Sequence, residues 1–314
     1  MTAKISIVTS MYRSADTIQE FCRRAGEAAR RITPEYEIVL VNDGSPDNAL
    51  ELALDQWRED PNIVVVDLAR NVGQHRALLT GLAQSRGDLI FMLDADLEED
   101  PCWLSLFYER AQAEQADLVC GVQRRRKGGY AERASGSLFY ALFNWLSDTR
   151  LAPNATTARL MTRRFVRNLL RHQERTVFLA GLIEITGYRQ ILVPVDKGSR
   201  AVSGYRWRRK MVMAVEAITS FSDRPLVLIF VTGSLISMAA SLYIIYIVVR
   251  WVIRGVPITG WPSLIVSIWF LGGLTIAFIG VLGIYLSKIY IETKRRPRSV
   301  VRKIYGRPDP SVRS

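Results

Sequence analysis

Two apolar runs near the carboxyl end constrain this 314-residue chain more than any other feature. Leu226 to Trp251 carries no charge before Arg250, and Ser263 to Ile291 carries only Lys288. Each exceeds the roughly 20 apolar residues that cross a bilayer as a helix. Buried helices of water-soluble domains seldom stay uncharged for so long. Residues 254–262, Arg-Gly-Val-Pro-Ile-Thr-Gly-Trp-Pro, are short and rich in turn formers. The pattern predicts a hairpin of two transmembrane helices, 226–251 and 263–291, with a water-facing domain over residues 1–225 and a basic tail over 292–314.

Charge gives the hairpin an orientation. Lys and Arg outnumber Asp and Glu by 42 to 30, a net charge of +12. Much of the excess lies in Arg124–Lys127, in Arg206-Trp207-Arg208-Arg209-Lys210 and in Lys294, Arg295, Arg296, Arg298, Arg302 and Lys303 of the tail. Two spans put the first domain and the tail on one side, and the positive excess marks that side as cytoplasmic. The start, Met1-Thr2-Ala3-Lys4-Ile5, runs directly into a strand pattern, so no signal peptide is expected. Cys22, Cys102 and Cys120 lack metal or redox spacing and fit reduced thiols. Basic clusters that flank spans, or that carry Trp and Tyr, point to anionic lipid rather than nucleic acid, and no nucleic-acid motif is present. Two amphipathic stretches, about 133–147 and 205–222, are expected to lie in the membrane interface, with core-facing helices as the alternative.

The first 120 residues alternate strand and helix. Strands are read at Ile5–Thr9, Tyr36–Asn42, Ile63–Leu68, Asp88–Leu93 and Asp117–Gly121. Helices are read at Ala15–Arg31, Asp47–Glu59, Gln74–Ser85 and Pro101–Glu114. Near-continuous Val, Ile and Leu strands between helices predict an α/β fold with a mostly parallel, Rossmann-like doubly wound sheet. Such sheets bind ligands at the carboxyl ends of their strands. Polar clusters stand there: Ser10 and Tyr12, Asp43-Gly44-Ser45, Arg70–Gly73, and Asp94-Ala95-Asp96. Residues i, i+2 and i+4 of an extended chain point the same way, so Asp94, Asp96 and Glu98 are expected to converge. Three hard oxygen ligands suit Mg²⁺ or Mn²⁺ bridging to a substrate phosphate. An acidic turn opening a helix at Pro101 is the alternative reading.

Further blocks then appear in order. Ser10–Ser14, Val41–Ser45, Asn71–Ala77 and Asp94–Glu98 are followed by Glu174–Phe178, Ser203-Gly204-Tyr205, Ile218–Ser222, Gly283–Tyr290 and Arg296-Pro297-Arg298. Together with the hairpin, the set resembles the polyprenyl-phosphate glycosyltransferases of family 2, which have the GT-A fold, over nearly the whole chain. The resemblance implies a bacterial inner-membrane enzyme with its catalytic domain in the cytoplasm. It implies transfer of a sugar from a nucleoside-diphosphate donor, expected to be UDP-linked, to undecaprenyl phosphate, with inversion and a divalent metal. A homo-oligomer is compatible with it. Relatives usually carry Pro, Asn and Glu where this chain has Ser10, Arg13 and Ser14, and Gln where it has Glu98. They carry Asp-Phe-Arg at Thr157-Ala158-Arg159 and Ser-Lys-Tyr at Ser203-Gly204-Tyr205. These departures keep open a saccharide acceptor, or a membrane scaffold without catalysis.

The resemblance also implies roles. Ser10, Tyr12, Asp43, Asn71, Gln74, Asp94 and Ala95 would bind the nucleotide, with Asp43 on a base N–H and Tyr12 on the base or ribose. Asp94, Asp96 and Glu98 would hold the metal on the diphosphate. The acceptor phosphate carries its own negative charge and needs steering cations more than a general base. Arg124, Arg133 and Arg200 are the candidates, because guanidinium grips phosphate in bidentate fashion. Arg159 would bridge sheet and site. His75 would sit at a helix N-terminus facing the diphosphate, and Asp148 is a further carboxylate.

Overall fold

The computed structural model describes residues 4–124, 152, 154–175, 177–198, 219, 222–254 and 260–307. Its centre is four parallel strands, β1 (Ile5–Met11), β2 (Tyr36–Asn42), β3 (Ile63–Leu68) and β4 (Leu89–Met92), adjacent in the order β4-β1-β2-β3. Strand side chains alternate between faces, and this sheet is buried on both. Ile5, Ile7, Ile38 and Leu40 face one apolar layer with Phe21, Ala25, Ala53 and Phe107. Val8, Val39 and Val41 face the other, with Leu78, Leu82, Phe165 and Leu169. That is why these strands read as unbroken apolar runs rather than as an alternation. Each fully buried Phe, Ile or Leu contributes about 1.5–3 kcal/mol relative to exposure.

Helices α1 (Ile18–Arg30), α2 (Ala49–Glu59) and α4 (Trp103–Glu114) supply the first layer. Helix α3 (Gln74–Gln84) supplies the second, with α5 (Arg163–Arg171) and α6 (Leu179–Ile185). Helix α3 lies close to the strands because Gly81 has no side chain. A Cβ there would stand 2.6 Å from Val8 Cγ1 and 2.8 Å from Val41 Cγ2.

The sheet continues past this parallel centre on both sides. β6 (Ala155–Thr162) runs antiparallel between β4 and β5 (Leu118–Gln123), and β7 (Gln190–Val195) pairs parallel with β5. At the other edge β8 (Val301–Tyr305) pairs antiparallel with β3. The full order is β7-β5-β6-β4-β1-β2-β3-β8. The expected Rossmann-like GT-A architecture therefore holds, with antiparallel β6 and β8 added to it.

Strand β8 changes the reading of the basic tail. After the apolar helices the chain returns to the sheet, and several tail cations bind protein rather than lipid. Arg298 donates to the carbonyls of Glu174 and His172. Arg302 meets Asp67 at 3.2 Å and the Ala69 carbonyl. Arg307 pairs with Glu37 and donates to the Gln84 carbonyl.

Helices α7 (Arg224–Arg254) and α8 (Trp261–Thr293) have 31 and 33 residues, about 46 and 50 Å at 1.5 Å per residue. Both contain stretches long and apolar enough to cross a membrane, and those stretches are not buried by protein. Phe230, Trp269 and Ile276 are each more than 70% exposed. A continuous apolar surface of that extent marks a membrane or protein contact rather than a water-facing surface. The two stretches expected to be interfacial, 133–147 and 205–222, lie outside the described residues except for Thr219 and Ser222.

Candidate active site

The four central strands end along one edge, and the loops that leave them are tied to one another. Asn42, the last residue of β2, donates from its amide to Asp67 Oδ1 at 2.8 Å and accepts from the Ser45 amide at 3.1 Å. Asp43 follows and is buried. Its two oxygens accept from the Val72 and Gly73 amides at 2.7 and 3.0 Å, which fastens the loop after β3 to the loop after β2. Burial pushes the Asp43 carboxyl up and these two amides oppose it. Gly44 makes the closeness possible. It has φ +61°, and a Cβ there would lie 2.6 Å from the Asn71 nitrogen.

Beside this junction stand the residues after β1. Ser10 is half-buried near the end of the strand, and Tyr12 is 47% exposed with the Arg13 guanidinium 5.7 Å from its ring centre. Arg13 has φ +56°, and Ser45 Oγ accepts from its amide at 2.7 Å. Asn71 is exposed at the start of the next loop. The edge thus presents an exposed aromatic ring, polar side chains and a braced pair of loops.

The acidic corner lies where β4 ends, and its geometry differs from an extended run of carboxylates. The strand stops at Met92, the chain turns at residues 95–99, and Leu97 adopts φ +62°. An apolar side chain in the left-handed region costs about 1–2 kcal/mol, held here by the surrounding contacts. Asp96 Oδ1 accepts from the Glu98 amide at 3.0 Å, a turn closed by a side chain. The alternation assumed from sequence therefore fails after Asp94. Among the described residues no three acidic, His or Cys side chains are arranged to hold an ion. The Glu98 carboxylate lies 3.3 Å from the ammonium of Lys197.

Asp94 is the best-held member of the corner. Gln74, the first residue of α3, donates to its Oδ1 at 2.6 Å, and Thr157 Oγ donates to its Oδ2 at 3.1 Å. Ala95 turns its methyl group into the core. Glu99, which the sequence reading passed over, is fully buried behind Asp94. It accepts from the Thr157 amide at 2.8 Å and the Asp94 amide at 3.4 Å. Burial, then the Asp94 charge, pushes the Glu99 carboxyl up to about 7. Burial, then the Asp96 charge, pushes Asp94 up to about 6. Lys197 was also passed over. Burial works against its charge, but Glu99, Asp94, Asp96 and Glu98 together hold it above its ordinary value. Among the described residues, four carboxylates thus act on the one ammonium of Lys197.

The donor chemistry fits a hard divalent cation on two carboxylates. Mg²⁺ is commonly held by one or two protein carboxylates plus substrate phosphates and waters. Asp94 and Asp96 supply hard oxygens, whereas Glu98 is turned toward Lys197.

Of the remaining expected residues, Arg124 is exposed just beyond β5, its amide bonded to the Val195 carbonyl at 3.2 Å. Arg159 is buried, with Nη1 donating to the Thr156 and Thr157 carbonyls at 2.8 and 3.3 Å. Both of these bonds lie within its own strand, at the start of β6. His75 Nδ1 bonds the Val177 carbonyl at 3.2 Å, and burial lowers its pKa. Arg133, Arg200 and Asp148 lie outside the described residues.

Comparison with known proteins agrees with this geometry. The family model described as "Glycosyl transferase family 2" matches residues 6–172. A protein of Mycobacterium tuberculosis named "Putative glycosyltransferases" is 46% identical over 303 residues, covering 96% of this chain and 89% of its own. The SfII prophage-derived bactoprenol glucosyl transferase of Shigella flexneri is 33% identical over 309 residues, 97% of this chain and 100% of its own. A mannosyltransferase from Pyrobaculum calidifontis, solved with GDP-Man and Mn²⁺, shares the fold. Its TM-score is 0.50 at 14% identity, over 94% of this chain and 87% of that one. By sequence match over more than half its length, the chain is a glycosyltransferase that belongs to family 2.

Proposed function

We propose that this enzyme transfers one sugar from a UDP-linked nucleoside-diphosphate donor to a polyprenyl phosphate of undecaprenyl type, with inversion. It does so at the cytoplasmic face of a bacterial inner membrane. The observation that carries the reading is the placement of the apolar hairpin between two parts of one sheet. The chain leaves the catalytic fold, runs through α7 and α8, and returns as β8 beside β3. A lipid phosphate at headgroup depth is then delivered to a domain that is fastened on both sides of the spans. The bactoprenol named for the Shigella relative supports the acceptor class. The GDP-Man and Mn²⁺ bound to the Pyrobaculum protein support a nucleotide-sugar donor and a metal.

Tyr12 is exposed for stacking on a base or ribose, and Asp43 retains lone pairs for a base N–H once its two amide bonds are counted. Ser10, Asn71, Gln74 and the Ala95 backbone complete the nucleotide wall. Asp94 and Asp96 would hold Mg²⁺ or Mn²⁺, which would neutralise charge on the departing nucleoside diphosphate. Glu98 joins them only if Lys197 releases it. Arg124, Arg133 and Arg200 steer the acceptor phosphate, whose own oxygen attacks the anomeric carbon, while Arg159 supports the wall from below. The domain over 1–225, the spans 226–251 and 263–291, and interfacial helices near 133–147 and 205–222 are the corresponding layout.

Full-length protein in lipid vesicles is given a labelled nucleotide sugar, Mn²⁺, and either undecaprenyl phosphate or soluble saccharides. The expected result is label in the lipid fraction, lost with Asp96→Ala. Label only in a saccharide product overturns the acceptor assignment.

A further inference from the structure

A cavity of about 210 Å³ opens behind Asp94, between α3, the first residues of β6 and α6. Two of its lining residues, Gln74 and Thr157, are the ones that hold the two oxygens of Asp94. The cavity therefore shares its wall with the carboxylate assigned to the diphosphate. At roughly 30 Å³ per water in the liquid it has the space of about seven waters. That accommodates a single hydroxylated ring.

Its polar groups are mixed in kind. Arg159 is 6% exposed, and its buried Nε–H has no acceptor, although Nη1 is satisfied. An orphaned buried donor costs about 1–3 kcal/mol, so a ligand that accepts from it recovers a real penalty. Glu184 lines the same cavity and brings acceptor oxygens. His75, with Nδ1 directed to the Val177 carbonyl, leaves Nε2 as an acceptor. Leu78, Phe178 and Leu179 supply apolar wall. A phosphate only accepts and is repelled by a carboxylate and an imidazole lone pair. A sugar hydroxyl both donates and accepts, and the C–H face of a sugar ring packs on apolar side chains. Small-molecule sites commonly combine such apolar walls with a few placed polar groups.

We propose that this cavity receives the sugar ring of the donor, and that Arg159, Glu184 and His75 read its hydroxyl groups and set which sugar is used. The inference rests on the reading that the donor is a nucleoside-diphosphate sugar. Sugar identity then resides behind Asp94, with Gln74 lining both this cavity and the nucleotide wall.

The test is calorimetric titration of the full-length protein in detergent with Mn²⁺. The probes are UDP-glucose, UDP-N-acetylglucosamine and GDP-mannose, each against its own nucleoside diphosphate. Wild type is expected to bind one nucleotide sugar more tightly than the matching diphosphate. Glu184→Gln is expected to weaken that sugar about tenfold, equivalent to about 1.4 kcal/mol, with the diphosphate within about twofold. Arg159→Lys is the second variant, and retained diphosphate binding certifies its fold. Equal weakening of sugar and diphosphate, or no change in either, overturns the cavity assignment while the donor reading stands. Equal wild-type affinity for sugar and diphosphate overturns it as well. A wild-type protein that binds none of the five nucleotides overturns the donor reading, and this inference falls with it.

Discussion

Glu37 and Glu99 are both buried glutamates of one domain, at opposite ends of the same parallel strands, and their surroundings do opposite things to them. Glu37 stands near the start of β2, 6% exposed. It accepts from Ser6 Oγ and the Arg86 amide, each at 2.5 Å, and is paired with the buried Arg307. Burial alone would raise its pKa, but Ser6, the Arg86 amide and Arg307 outweigh it and lower the pKa. Glu99 accepts two backbone amides, lies 3.7 Å from Lys197, and has Asp94 as its neighbour. Its pKa rises to about 7. The first carboxylate closes a structure and needs nothing more. The second belongs to a group in which, among the described residues, four carboxylates share the Lys197 ammonium. A protein tolerates such a surplus at a functional site, where a cation arrives with substrate.

Breaking the closed pair should have the largest effect on folding. Arg307→Ala leaves the Glu37 charge buried without its cation and should destabilise the protein by about 3–5 kcal/mol. Thermal unfolding of the full-length chain in detergent measures it. Arg307→Met combined with Glu37→Met should recover most of the loss, because apolar replacement of a buried pair is often neutral. Breaking the open corner should act on rate instead. Asp96→Ala should reduce sugar transfer by about 10³-fold, several kcal/mol of transition-state stabilisation, with little change in melting temperature.

The pH dependences should run in opposite directions. Glu37 has a lowered folded pKa, so its stabilisation is present above the unfolded value and is lost as pH falls through the folded one. Glu99 has a raised folded pKa, so the folded state holds the extra proton between 4.5 and about 7, and metal-free stability falls as pH rises through that interval. Glu99→Gln should flatten that slope and stabilise the metal-free protein at neutral to alkaline pH by about 1–2 kcal/mol, read by denaturant unfolding. The smallest effect should come from Lys197→Met. Removing the resident cation should tighten Mn²⁺ binding several-fold, because like charge nearby disfavours the ion.

The closed end and the open corner also differ in how far sequence reveals them. β2 and β3 are read to the residue and β1 and β4 nearly so, because strands covered on both faces are apolar throughout. β6, β7 and β8 are not. Thr157-Ala158-Arg159 breaks the apolar run of β6, β7 is interrupted by Pro194, and β8 follows a span in a stretch dense with arginine. Arg307 reaches Glu37 across 270 residues, a separation no local pattern encodes. The place of Asp94 and Asp96 just beyond a strand end was legible because β4 is an apolar run that stops there. Glu98 was given too direct a role because the chain turns at Leu97, where only the dihedral reveals it. Glu99 had the local signal of an acidic run abutting a buried strand, but the turn at residues 95–99 that buries it is not written in that run. Lys197 comes from beyond β7 and had none.

Mn²⁺ binding followed by electron paramagnetic resonance, with and without nucleoside diphosphate, tests the central claim most directly. Wild-type protein should bind one Mn²⁺ much more tightly in the presence of nucleoside diphosphate, and more tightly at pH 8 than at pH 5, since Asp94, pushed up to about 6, must be ionised. Asp94→Asn and Asp96→Asn should each abolish that site. Mn²⁺ binding that ignores both substitutions would contradict the assignment of this corner to the donor diphosphate.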